Sequence, residues 1–282
     1  MILVTGATGN VGAALIDALP DDVPVRAAVR DVQRARARLG DRLEYVRFDF
    51  ADPATYAPAF TGVDSMFLVR PPAITDVANT IAQAVAAARS AAVRHIVFLS
   101  LQGVEQNRFV PHRKIEDVLR ESGLTWTFLR AGFFMQNLNT THLDEIRHRG
   151  ELFIPAGRSK TSFIDVRDIG AAASVVLTTD GHANRAYTLT GAEALDYGEV
   201  AAILSAVLRR TIRYSNPSLP RFVWRHWREG EPLAFALVMA MLYTLTRFGM
   251  AANITPDLEQ LIGRESIRFE QYARDYRDSF VA

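Results

Sequence analysis

The sequence predicts an α/β protein: a doubly wound parallel sheet followed by a smaller, mainly helical C-terminal lobe. Three observations carry that expectation. The chain opens on MILVTGATGNVG, where residues 2–4 read as a short apolar strand, Gly6, Gly9 and Gly12 follow at three-residue spacing, and a helical run 13–19 begins at once. Short apolar runs then alternate with helical signals as far as residue 129, the rhythm of parallel strands joined by right-handed crossovers. From Tyr197 onward the signals turn mainly helical.

Each glycine of the opening turn has its own task. Gly6 takes the tight turn, Gly9 lets backbone approach a pyrophosphate, and Gly12 lets the helix pack on the strand. The helix N-terminus adds unpaired N–H groups and the positive end of a dipole. A strand before and a helix after make the pattern a Rossmann-type dinucleotide turn. Its candidate cofactor residues are Gly6, Ala7, Thr8, Gly9, Asn10, Val11 and Gly12.

The second strand, 23–29, ends at Arg30, with Arg34 one helical turn further on. About 20 residues past such a turn, this fold sets an acidic side chain on a ribose 2′-hydroxyl or a basic one on a 2′-phosphate. Arg30 therefore predicts NADP(H) over NAD(H). The third strand, 43–48, closes on Asp49 and Phe50, candidates for the adenine edge, and Asp52-Pro53 opens a helix. A fourth strand, 66–69, runs into Arg70 and Pro71; a helix spans 75–90; and a fifth strand, 95–99, delivers Ser100 to the sheet's carboxyl edge. Ligands bind outside that edge, so Val69, Arg70, Pro71 and Ser100 are candidate cofactor residues, and Leu101 and Gln102 candidate substrate residues.

A loop over 103–110 leads to a helix that starts at Pro111 and His112, keeps Ile115, Val118 and Leu119 at helical spacing and closes at Ser122-Gly123. A sixth strand, 125–129, precedes Phe133, Phe134 and Asn137, further candidate substrate contacts. Beyond it, 150–164 holds two short strand-like runs, Asp168 can cap a helix 169–177, and a strand 186–189 returns to the sheet. The expected division is a nucleotide-binding domain over 1–150, with 160–190 returning to it, and a substrate lobe over 191–282. Trp224, in the aromatic-rich run 222–227, is that lobe's candidate substrate contact. The uncharged run 232–246 reads as a buried helix or pocket wall, short of the roughly 20 residues a membrane span needs.

With 282 residues there is ample length for a core. A net charge of +1 supplies no bulk field for nucleic acid or an anionic membrane. The absence of cysteine excludes disulfides, thiolate metal sites and cysteine nucleophiles. The N-terminal strand leaves no room for a leader, and a cytoplasmic protein is expected. His142, His148 and His226 show no acidic or histidine neighbours at ligand spacing, so no metal is expected. Oligomerisation stays open.

Five segments resemble a known group, the NmrA-like branch of the atypical short-chain dehydrogenases/reductases. They are TGATGNVG, AAVRD, HIVFLS, RKIEDVLRESGLTWTFLRAGFFMQNL and FIDVRDIGAAASVVL, and their order covers about the first 210 residues. Within the group the chain is most similar to bacterial quinone oxidoreductases and triarylmethane dye reductases. The resemblance implies an NADP-binding Rossmann domain, a small C-terminal lobe and hydride transfer to a quinone or other flat conjugated small molecule. Some members of the group bind the cofactor and regulate a partner without turnover, and others reduce one specialised metabolite.

The Tyr-x-x-x-Lys pair of ordinary short-chain dehydrogenases is absent, because no tyrosine has a lysine four residues on. In lysine-using relatives the lysine precedes the threonine of the sixth strand by fifteen residues. With Thr127 as that threonine, the position holds His112. His112 is thus the candidate catalytic residue: a near-neutral imidazole suits a proton or hydrogen bond to a reducing oxygen. Pocket lining without proton transfer is the competing role. An exposed apolar patch on 222–250 would favour the regulatory reading, and a closed pocket there the enzyme.

Overall fold

A computed structural model describes residues 1–107 and 110–281. The chain begins β1 (Ile2–Thr5), α1 (Asn10–Ala18), β2 (Val25–Val29), α2 (Val32–Leu39), β3 (Glu44–Arg47), α3 (Tyr56–Phe60) and β4 (Ser65–Leu68). It continues α4 (Ile81–Ser90), β5 (His95–Leu101), α5 (Pro111–Glu121) and β6 (Thr125–Ala131). Then come β7 (Phe133–Phe134), β8 (Glu151–Phe153), β9 (Thr161–Ile164), α6 (Val166–Thr178), β10 (Arg185–Leu189) and β11 (Ala194–Leu195). The remainder is α7 (Tyr197–Leu208), β12 (Arg213–Ser215), α8 (Leu219–Arg228), α9 (Leu233–Arg247), α10 (Asp257–Ile262), α11 (Phe269–Asp275) and α12 (Arg277–Phe280).

These elements form two compact units. The first comprises 1–131, 166–189 and 257–264. Its seven-stranded sheet has the order β10-β6-β5-β4-β1-β2-β3, with every neighbouring pair parallel. This is the Rossmann arrangement the sequence predicts, and the strand order reverses between β1 and β4. Leu3, Val4, Phe67 and Phe98 are wholly buried, as the strands of a parallel sheet covered on both faces should be. The helices begin where local chemistry lets them: the Asp31 carboxylate accepts the Arg34 amide at 3.0 Å to cap α2.

The second unit comprises 132–165, 190–256 and 265–282. Its strands form two small sheets, β11-β9-β7 and β12-β8, around a core that includes Phe163, Tyr197, Leu204, Phe222 and Tyr272. A reciprocal box between Asp196 and Glu199 starts α7.

Several expectations are corrected. The helix expected from residue 75 starts only at Ile81. The Asp76 carboxylate takes both the backbone and side-chain N–H of Asn79, and the Thr80 hydroxyl donates to the Asp76 carbonyl; such local bonds compete with helix formation. Asp168 does not cap α6 but lies inside its first turn, unexposed, 2.7 Å from Arg264. The division falls at residue 131 rather than 150, because β7 pairs with β9 and β8 with β12 inside the second unit. Residues 257–264 join the first unit instead, where the Asp257 carboxylate accepts the Thr188 amide at the edge strand β10. The run 232–246 is not a buried helix: Leu233, Leu237, Val238 and Met241 of α9 are about half exposed. Residues 108 and 109 of the loop 103–110 lie outside the described residues.

Helix α1 packs closely on α6 at Gly170. A Cβ there would stand 2.5 Å from the Ala14 carbonyl carbon, and backbone cannot yield as a side chain can. Gly170→Ala is expected to lower the unfolding free energy by about 1–3 kcal/mol, read as a lower urea midpoint.

Candidate functional site

In the first unit the parallel strands end along one edge, with the reversal at β1 and β4 opening a crevice there. Gly6 follows β1 with φ +63°, and a Cβ on it would meet the Val69 Cβ after β4 at 3.2 Å. Gly12 has no room at all, since its Cβ would lie 2.2 Å from the Gly6 carbonyl oxygen. The turn is therefore folded onto the first turn of α1. Gly9 is the N-cap of α1 and contributes no side-chain bond to the helix amides. Those amides stay available to an anion.

The predicted turn residues divide by burial. Gly6, Gly9 and Asn10 are exposed and Thr8 is half-buried, whereas Ala7 and Val11 are buried and serve packing. Thr5, which the sequence reading missed, ties the crevice together. Its buried hydroxyl donates to the Phe67 carbonyl at 3.0 Å and accepts the Val69 amide at 2.8 Å, locking the end of β1 to the end of β4. The only signal for it is its place between an apolar strand and Gly6.

Arg30 and Arg34 are exposed, and neither guanidinium has an ion-pair partner among the described residues. Asp49 turns its carboxylate to the Ala51 amide at 2.9 Å. Phe50 corrects its expected role: it is 4% exposed, edge-on to Phe48 at 4.8 Å, so its ring belongs to the core and cannot meet an adenine. Arg70 is held by its own loop, one nitrogen donating to the carbonyls of Pro71, Pro72 and Ile74. Its Nε is buried with no hydrogen-bond partner.

Ser100 is buried and gives its hydroxyl to Glu116 at 2.7 Å. Its side chain is thus committed to the protein, contrary to a direct cofactor contact. Glu116, wholly buried on α5, also accepts two nitrogens of Arg130 at 3.0 and 2.8 Å and one of Arg120 at 2.8 Å. Four charge-assisted or hydroxyl bonds satisfy this carboxylate, as a buried charge requires. The cluster joins β5, β6 and α5, and it lies one helical turn from His112. Leu101 is 36% exposed at the edge, and the Gln102 amide is fixed to the Ala131 carbonyl at 3.0 Å.

His112 lies in the first turn of α5, its ring stacked on Phe98 at 5.8 Å. Burial, with the Arg70 guanidinium adding to it, pushes its pKa from 6.5 down to about 3. The expected near-neutral titration is therefore corrected: the imidazole is neutral at physiological pH and can donate or accept a hydrogen bond without carrying a charge.

In the second unit Phe133 and Phe134 are half-buried on β7, and Asn137 closes the following 3₁₀ turn. Trp224 is not brought to them. It is 54% exposed on α8, in an open apolar groove with Trp227 and Leu237. Tyr243 is buried, its hydroxyl 2.5 Å from His142 Nε2. His142 and His226 do have an acidic neighbour, Glu145, at 3.3 and 3.9 Å, three residues after His142 in the chain. Among the described residues no group of three such side chains could hold a metal ion, and no helix is long and apolar enough to cross a membrane.

Comparison with known proteins places this geometry. The model of the NmrA-like family matches residues 1–278. The chain belongs to the NmrA-like family. It is 35% identical to an NAD(P)H azoreductase of Xenophilus azovorans over the full length of both chains. Among solved structures, the NADPH-dependent quinone oxidoreductase of Escherichia coli, complexed with NADPH, superposes with a TM-score of 0.89 at 26% identity, covering 98% of this chain and 100% of that one. The triphenylmethane reductase of Citrobacter sp., complexed with NADP(H), gives 0.85 at 28% identity, covering 97% and 99%.

His95 is a second half-buried imidazole of the first unit, pushed down to about 4 by desolvation. Both histidines bind a proton more readily in the unfolded chain, so stability falls as the pH drops through the window from 6.5 toward 3. The urea midpoint is expected to fall between about pH 7 and about pH 5, less steeply in His95→Gln than in the parent.

Proposed function

We propose that this NAD(P)H-dependent oxidoreductase reduces a quinone, an azo compound or another flat conjugated acceptor at the carboxyl edge of its seven-stranded sheet. The observation that carries the reading is the glycine turn: a helix start with uncapped amides, a Gly12 that admits no side chain, and two unpaired arginines after β2. These residues fit NADPH. When bound, NADPH supplies a hydride, and reduction of a quinone to its hydroquinone consumes that hydride and one proton.

The chain's own residues then have distinct roles. The α1 amides hold the phosphates, and Arg30 with Arg34 meets the 2′-phosphate. Val69, Arg70 and Pro71 wall the nicotinamide, with the Arg70 Nε as a free donor. Leu101, Gln102 and His112 stand at the acceptor. His112, being neutral, gives a hydrogen bond to the oxygen as charge develops there, and the proton comes from water. Acceptors that already delocalise the added electron pair need positioning more than acid catalysis.

The exposed apolar surface of α8 and α9 favours a second reading, cofactor binding that regulates a partner without turnover. Purified protein given NADPH and a panel of quinones, azo dyes and triarylmethane dyes decides between them. Loss of the reduced nicotinamide absorbance supports the enzyme, and tight NADPH binding with no turnover on any acceptor supports the regulator.

Arg30→Glu is expected to raise the KM for NADPH about tenfold to a hundredfold, the value of one or two charged hydrogen bonds, while the KM for NADH changes little. For His112, kcat should show no limb with a midpoint near 6.5, and His112→Gln should keep that flat profile while lowering kcat about tenfold. A limb near 6.5 that the substitution abolishes would make His112 the acid instead.

A further inference from the structure

The core of the second unit holds a row of titratable side chains that the proposed reaction does not use. His142 is buried with both ring nitrogens engaged: Nδ1 lies 3.3 Å from Glu145 Oε2, and Nε2 lies 2.5 Å from the Tyr243 hydroxyl of α9. Beyond Glu145 the row breaks. Glu145 Oε1 and His226 Nε2 are both buried with no hydrogen-bond partner among the described residues, and they stand 3.9 Å apart. That is about 1 Å longer than a bond between an imidazolium and a carboxylate. Glu145 is 6% exposed. Its free oxygen is therefore held out of water opposite a nitrogen that supplies both a donor and a balancing charge only when protonated.

We propose that Glu145 and His226 form a proton-operated latch: uptake of one proton by His226 closes the 3.9 Å gap into an ion pair and draws the last turn of α8 onto the π-helical turn 145–149. The surroundings favour closure over expulsion of the ring. His226 lies on the side of α8 turned to the core, its ring 4.3 Å from that of the buried Phe222. It is in the last turn of the helix, where the dipole favours a cation. Glu229 and Glu231 add negative charge around it, and His142 opposes protonation. The neighbouring cations are already engaged: Arg149 with Glu229 at 2.6 Å, Arg225 with Glu151 at 2.8 Å and Glu229 at 3.3 Å, and Arg228 over the Trp224 ring. These pairs also keep α8 within reach, so a shift of about 1 Å completes the latch. Burial holds Tyr243 and Tyr197 as neutral phenols. Burial also holds the His226 pKa below 6.5, with Glu145 acting against it, so the latch stands open at neutral pH and closes in mild acid. Trp224 and Trp227 of α8 line an apolar groove with α9, and the proton reshapes that wall.

Histidine NMR and amide exchange on the full chain test the latch. Between about pH 7.5 and about pH 5 the His226 ring should pass to its protonated shift. Over the same range the protection of amides 224–229, measured against α7 in the same chain, should rise about tenfold. Glu145→Gln keeps an acceptor for His142 and turns an N–H on His226, so it should lower the His226 midpoint by about one pH unit or more and abolish the rise. His226→Gln sets a permanent donor before Glu145 and should leave α8 equally protected at both ends of the range. Unchanged amide shifts in the first unit show that each variant is folded. Protection of α8 that falls with the pH would overturn the proposal, because the charged ring would then be leaving the core. So would a ring still neutral at about pH 5, a midpoint that Glu145→Gln leaves in place, or a pH-dependent α8 in His226→Gln.

Discussion

A carbonyl oxygen and a missing methyl set the geometry of the first unit. The Gly6 carbonyl lies where any side chain at Gly12 would have to go, so α1 can begin only because that position is bare. From this contact follow the sharp exit from β1, the uncapped amides of α1 aimed beyond the sheet edge, and the narrow gap between Gly6 and Val69. Thr5 closes the same gap from the protein side with two hydrogen bonds to the β4 end. Steric exclusion and hydrogen bonding thus define a single crevice where the strand order reverses, and Arg30 and Arg34 stand exposed after β2.

The neighbouring half of the edge is held by charge. Glu116 is buried with Ser100, Arg120 and Arg130 around it, and removing one partner of such a set exposes the others to an unpaired burial. The cluster fixes α5 against β5 and β6, and α5 carries His112. Position and protonation of that imidazole therefore have separate origins: packing on Phe98 and the Glu116 cluster fix the helix, while desolvation and Arg70 keep the ring neutral.

Much of this was legible in the sequence because it is written in short-range patterns. Strand–helix alternation and glycine spacing are local, and they located β1 to β6, the turn and Arg30. What failed was whatever depended on which way a side chain turns and what it bonds, even where the partner is near in sequence. Phe50 looked like an edge residue until Phe48 and the core claimed its ring. Ser100 reached the edge as expected, but Glu116, sixteen residues on, took its hydroxyl. Glu145 stands three residues after His142, a spacing legible in the sequence, whereas its approach to His226 joins residues 81 apart along the chain. The helical run from residue 75 was shortened by one aspartate that prefers to bond its own turn. Composition alone made 232–246 look buried, since an apolar helix with one side uncovered reads the same as one enclosed.

The first unit is not finished by its own N-terminal stretch. Its edge strand β10 is hydrogen-bonded by Asp257, and α6 is held through Asp168 by Arg264, residues made after the whole of α9 has been synthesised. On the ribosome, the seven-stranded sheet therefore waits with its β10 edge incomplete until residues 257–264 are made. A premature stop anywhere before codon 257 would damage both units at once, and a cut at an apparent domain boundary would release no independent half.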